Sequence, residues 1–222
     1  MKNNRLRLAT NHLNWAGFFG MAWYVAIFTL IYIALFLIFD AAELDSMSYT
    51  STGLNANRVF MLVIGIIVGG GYISWAFSLA ITRKQFYKAN LLSGLIISAI
   101  LVAAILLVGL LVNLLPFTGT EDIIESLQMH PVLNIITVFI QTYLAYLAGT
   151  LIGMGFYRNS WAGTLAILIT VVFNMSPDML DPYIVDILNT SNGVGMLIVT
   201  TIYVIILVIL NYVYTRDVVI RV

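Results

Sequence analysis

Within nine residues, Thr82-Arg83-Lys84-Gln85-Phe86-Tyr87-Lys88-Ala89-Asn90, the chain concentrates three cations and two large aromatics. The chemistry open to such a cluster is recognition. Cations attract anionic headgroups at about 1 kcal/mol each near a membrane, and large aromatics fill a partner's groove. Catalysis finds little support elsewhere. Cysteine is absent, which excludes thiolate nucleophiles, thiolate metal sites and disulfides. His12 and His130 stand at opposite edges of apolar runs and cannot share a site. No Gly-rich loop ending in Lys-Ser or Lys-Thr occurs to cradle a nucleotide. Gly69-Gly70-Gly71 lacks the lysine and lies inside an apolar run, where it reads as a packing contact or a flexible point. The chain is expected to be no enzyme, with no cofactor and no metal of its own.

The elements that must position this cluster are membrane helices. Of 222 residues, 61% are hydrophobic and 9% charged, against about a quarter charged in soluble domains. The sequence therefore predicts an all-α, polytopic membrane protein forming one domain over 1–222. Six apolar runs serve as spans: 15–39, 59–81, 91–115, 132–156, 161–175 and 194–214. The first follows a basic lead, 1–14, and at 25 residues it exceeds the roughly 7 to 15 of a secretory h-region, so it is expected to be retained. About 20 residues at 1.5 Å each cross the roughly 30 Å hydrocarbon core. The fifth run, with 15 residues before Ser176-Pro177, falls short.

Charge gives the orientation. With six spans, both termini and the turns after spans two and four share one side, which carries Lys2, Arg5, Arg7, Arg83, Lys84, Lys88, Arg158, Arg216 and Arg221. Only Arg58 is opposite. The positive-inside bias places that side in the cytoplasm, hence a multi-pass protein with cytoplasmic termini. The four prolines fall in outer segments. Ser176-Pro177 and Asp181-Pro182 each set a capping residue before a first-turn proline, the opening of a short helix. After the second, Tyr183, Ile184, Ile187 and Leu188 share a face. A short outer helical hairpin over 176–192 is expected, forming an outer gate with Pro177, Asp181, Pro182, Tyr183, Ile184, Ile187 and Leu188. Residues 120–127 read as an interfacial helix and 40–57 as a polar loop.

No ionisable residue falls in the interior of any of these six runs, which argues against an ion-coupled carrier and against an intramembrane hydrolase. Small residues recur every fourth position, Gly65 and Gly69 in span two and Ala145, Gly149 and Gly153 in span four, a spacing that lets helix backbones approach. They serve packing within the chain or an interface between subunits. Asn113, Asn134, Gln141 and Asn174 are polar groups in or near spans, expected to bond neighbouring helices.

The basic lead, the inner turn Phe77-Ser78-Leu79-Ala80-Ile81-Thr82-Arg83-Lys84-Gln85-Phe86 and the short fifth span followed by outer helices together resemble the six-span permease subunits of bacterial ABC exporters. The resemblance covers nearly the whole chain. It implies that the segment 82–90, with Thr82, Arg83, Lys84, Gln85, Phe86, Tyr87 and Lys88, is a coupling helix docking on a separate ATPase subunit that holds ATP and Mg. It implies a second permease subunit as partner, in a homo- or heterodimer, within the bacterial plasma membrane and without nucleic acid. The cargo expected of an apolar cavity is amphipathic or hydrophobic: a peptide, an antimicrobial or a lipid-like molecule. Two other readings stand beside it, a stand-alone membrane binding or immunity protein without an ATPase, and a substrate-binding membrane subunit of an importer.

Overall fold

A computed structural model of the chain describes residues 2–38, 49–78, 81–112, 131–188 and 194–216. These residues form helices and no strand: α1 (Lys2–Ile38), α2 (Tyr49–Ile67), a π-helical turn (Val68–Tyr72), α3 (Ile73–Ser78), α4 (Arg83–Val112), α5 (Pro131–Arg158), α6 (Ser160–Leu188) and α7 (Val194–Arg216). Five stretches are long and apolar enough to cross a membrane: Thr10–Leu35, Tyr49–Ala76, Arg83–Val112, Val132–Arg158 and Val194–Arg216. A sixth apolar stretch, Ser160–Asn174, is shorter.

The helix ends follow local rules. Thr82 and Gln85 form a reciprocal capping box on α4: the Gln85 N–H donates to Thr82 Oγ1 at 3.3 Å and the Thr82 N–H to Gln85 Oε1 at 3.1 Å. Pro131 opens α5 at the position where its missing N–H costs no helical bond. Only Asn159 separates α5 from α6. Gly155 lets the two helices close on each other there, since a Cβ in its place would stand 2.9 Å from the Ala162 carbonyl oxygen and from the Gly163 Cα.

Helix α5 is the axis of the bundle. It packs against α2, α4, α6 and α7, while α1 lies outside, mainly on α4. Residues 141–155 of α5 are all buried, and Tyr146, Leu147, Leu151 and Met154 are wholly enclosed. The outer surface is apolar instead: Trp15, Phe19 and Trp23 line one face of α1, 59 to 74% exposed. In water such a band would drive association. In a bilayer it is the surface that meets lipid.

Three expectations are corrected. Residues 49–57 are not loop but the first turns of α2, because Tyr49, Thr50, Gly53 and Asn57 continue its buried stripe, with Gly53 against Ile105 and Phe28. The segment 83–90, expected to lie in the turn between the second and third spans, is instead the beginning of α4, continuous to Val112. The helix starts signalled at Pro177 and Pro182 are not taken, and α6 runs through both. Each proline removes one helical bond, while neighbouring side chains tie this part of the helix down. Asn174 Nδ2 donates to the Thr170 carbonyl at 2.9 Å, the Ser176 hydroxyl lies 2.8 Å from that of Tyr203, and Phe173 stacks on Tyr203 at 4.2 Å. The expected interfacial helix at 120–127 and residues 189–192 of the expected hairpin lie outside the described residues.

Candidate functional site

One end of the bundle gathers the start of α4, the π-turn, α3 and the ends of α5 and α7. A cluster of Leu13, Val68, Ile73, Ala76, Ile81, Phe86, Ala89 and Met154 seals it from inside. Phe86 is 1% exposed in that cluster, which corrects the expectation that it stands out as a knob for a partner. Lys84 and Lys88, on the far side of the same turns, are exposed, and so is Arg83 at the first position of the helix. Helical geometry sets this division, since positions 84 and 88 share a face and 86 and 89 turn away from it. Arg83 donates from a guanidinium nitrogen to the Arg216 carbonyl at 2.8 Å, and the Tyr87 hydroxyl donates to the Val208 carbonyl at 2.9 Å. Two side chains thus fasten the start of α4 to the end of α7. Between them lies a cavity of about 340 Å³ lined by Arg83, Lys84, Tyr87, Tyr212, Thr215 and Arg216.

The small residues predicted to mediate packing meet one another. A Cβ on Gly65 would overlap the Tyr146 carbonyl oxygen, one on Gly69 that of Thr150, one on Gly149 that of Leu62 and one on Gly153 that of Ile66. The two rows therefore bring the α2 and π-turn backbones directly onto α5, with Ala145 also buried there. The triplet Gly69-Gly70-Gly71 lies in the π-turn, a widened turn that is frequent at functional sites.

Toward the other end, a second cavity of about 230 Å³ opens among α2, α4 and α5. Thr50, Ser51, Asn55, Arg58 and Asn134 give it polar groups, and Leu54, Val102, Leu106, Ile135 and Val138 an apolar wall. Arg58 is a half-buried cation inside the α2 span, and its guanidinium donates to Gln141 Oε1 of α5. This corrects the expectation of spans without ionisable residues. Reading 40–57 as loop left Arg58 at a membrane edge. The signal that could have placed it is the row Gly53, Asn57, Met61 and Gly65, which extends the helix back at four-residue spacing.

Deeper in the bundle runs a column of polar groups that the apolar composition of the spans concealed. Tyr146 donates to Asn90 Oδ1, Thr150 Oγ1 donates to Asn211 Oδ1 at 2.9 Å, and Asn211 Nδ2 donates to the Leu147 and Leu207 carbonyls at 3.0 and 2.9 Å. Asn57 is wholly buried with neither amide atom bonded among the described residues. Of the residues expected to form an outer gate, Pro177 is buried in α6 and Tyr183 is 69% exposed. Asp181, Pro182, Ile184, Ile187 and Leu188 fall in the last turns of the same helix. The structure thus joins the predicted 82–88 segment to α7 and the glycine rows to each other, and it adds the Arg58 cavity.

No protein-family model, no curated protein and no solved structure matches the chain.

Proposed function

We propose that the chain is the membrane-spanning subunit of an ATP-driven exporter of an amphipathic or hydrophobic cargo in a bacterial plasma membrane. Hydrolysis of ATP with Mg belongs to a separate ATPase subunit, and a second permease subunit completes the pathway. The observation that carries this reading is the continuity of α4. Arg83, Lys84 and Lys88 stand exposed on the first two turns of a helix that runs 30 residues without a break, about 45 Å at 1.5 Å per residue. A load applied to those cations enters a rigid rod that packs on α5. Phe86 keeps the rod seated against the π-turn cluster, so its part is to transmit rather than to dock. On this reading α6, 29 residues long, makes the sixth crossing, and the positive-inside bias makes the cationic end cytoplasmic. In mild detergent, the chain purified from its own membranes is expected to carry a nucleotide hydrolase. Arg83→Glu with Lys88→Glu removes it without reducing membrane insertion. Undiminished hydrolase association in that variant overturns the docking role.

A second reading, a stand-alone membrane protein that binds an amphipathic partner, is favoured by one feature. The Arg58 cavity is built by three helices of a single chain and needs neither fuel nor a second subunit. Saturable binding of an amphipathic peptide by the purified chain, lost in Arg58→Leu and indifferent to any ATPase, would decide for it.

A further inference from the structure

We propose that the cavity between α4 and α7 seats the phosphate headgroup of an anionic membrane phospholipid. Its lining brings together Arg83, Lys84 and Arg216, and no carboxylate is among the described residues that line it. The site is held in shape by bonds that leave the charges facing outward. One guanidinium N–H of Arg83 is committed to the Arg216 carbonyl, which fixes the arginine beside the end of α7. The Thr215 hydroxyl is committed to the Asn211 carbonyl at 2.6 Å, and the Tyr87 hydroxyl to the Val208 carbonyl. The rings of Tyr87 and Tyr212 meet edge to face at 5.4 Å and form an apolar wall. What remains available is positive charge with guanidinium donors, the chemistry that recognises a phosphate.

The same two helices argue for a lipid rather than a free phosphate or an acidic protein. Within about three turns of the lining residues along the chain they expose Leu92 and Leu95 on α4, and Ile205, Ile209 and Val213 on α7, each at 44 to 57%. A cationic mouth bordered by apolar surface matches a molecule with an anionic head and acyl chains. Basic pockets between membrane helices are known to take such headgroups. A free phosphate or an acidic protein surface would use only the charged part.

The experiment reconstitutes the full chain in phosphatidylcholine vesicles and measures association of spin-labelled phosphatidylglycerol and spin-labelled phosphatidylcholine. Wild type is expected to prefer phosphatidylglycerol. The preference should fall roughly fivefold in Lys84→Gln and in Arg216→Gln, and roughly twentyfold in the double variant, as expected for cations each contributing near the surface. Lys84→Arg keeps it, and so does Arg158→Gln, which removes a cation outside the cavity. Excess inorganic phosphate leaves the labelled lipid in place. Equal association of the two lipids in wild type overturns the proposal, as does an unchanged preference in the double variant. Displacement of the lipid by inorganic phosphate identifies a free-phosphate site and overturns it as well. Lys88→Glu separates this site from ATPase docking, since Lys88 lies on the exposed face but outside the lining: it should weaken docking and spare the lipid preference.

Discussion

Asn57 and Arg58 are adjacent in sequence and opposite in circumstance. Arg58 has its guanidinium held by Gln141 at the border of a cavity, whereas Asn57 is wholly buried with both amide atoms unbonded among the described residues. A hydrogen bond to a charged group contributes about 1.5 to 3 kcal/mol. Gln141→Leu is therefore expected to lower unfolding stability in detergent by about that amount, and a double-mutant cycle with Arg58→Leu should return most of it as coupling. Little coupling would show that the pair does not act as a unit. A buried polar group without a partner costs about 1 to 3 kcal/mol, so Asn57→Leu, similar in size, is expected to raise the unfolding midpoint. A fall instead would mean that the amide has a partner in the membrane.

The packing of α2 on α5 rests on four glycines whose missing side chains are replaced by the opposing backbone. Gly149→Ala should destabilise the protein by about 1 to 3 kcal/mol through overpacking, since the obstacle is the Leu62 carbonyl and a backbone cannot swing aside. Gly71→Ala is the control: nothing lies within 4 Å of the added methyl, and stability should hold or rise by a few tenths of a kcal/mol. At the start of α4, Thr82→Ala removes half of the capping box, at a cost of about 0.5 to 2 kcal/mol, measurable as a lower melting midpoint. Among elements, legibility in the sequence tracked locality. The glycine rows were readable because each acts within a turn or two. The continuity of α6 through Pro177 was not, because it is accompanied by contacts to α7, such as Ser176 to Tyr203, that no local pattern announces. The start of α2 was missed for a related reason: Thr50 and Gly53 look like loop residues until Gly109 and Ile105 of α4 supply the wall against which they pack.

Taken whole, the molecule is sided. Among the described cations, Arg83, Lys84, Lys88, Arg158 and Arg216 belong to one end, and Arg58 lies apart, toward the end where Tyr49, Ile105 and Val112 cluster. The charge asymmetry along the chain was enough to foresee that division, whereas the cavities that accompany it depend on how helices distant in sequence meet. The band between the ends is hydrocarbon, and its tryptophans test the lipid boundary. Trp15, Trp23 and Trp161 are 59 to 77% exposed, while Trp75 is half-buried with His12 edge-on at 4.4 Å. In single-tryptophan variants reconstituted with brominated phospholipid, fluorescence at 15, 23 and 161 should be quenched more strongly than at 75. Equal quenching at all four would mean that the outer surface of α1 is covered by protein.

The widened turn at Val68–Tyr72 gives the molecule tolerance in the length of one glycine run. That turn holds one residue more than ordinary winding needs, so deleting a single residue from Gly69-Gly70-Gly71 would return the stretch to about 3.6 residues per turn with Ile73 and Ala76 still on their hidden side. The same deletion within Tyr49–Ile67, which is regularly wound, would turn everything after it by about 100°. The triplet is thus slack in the winding, the one place along this helix where chain length can change without changing which side is hidden.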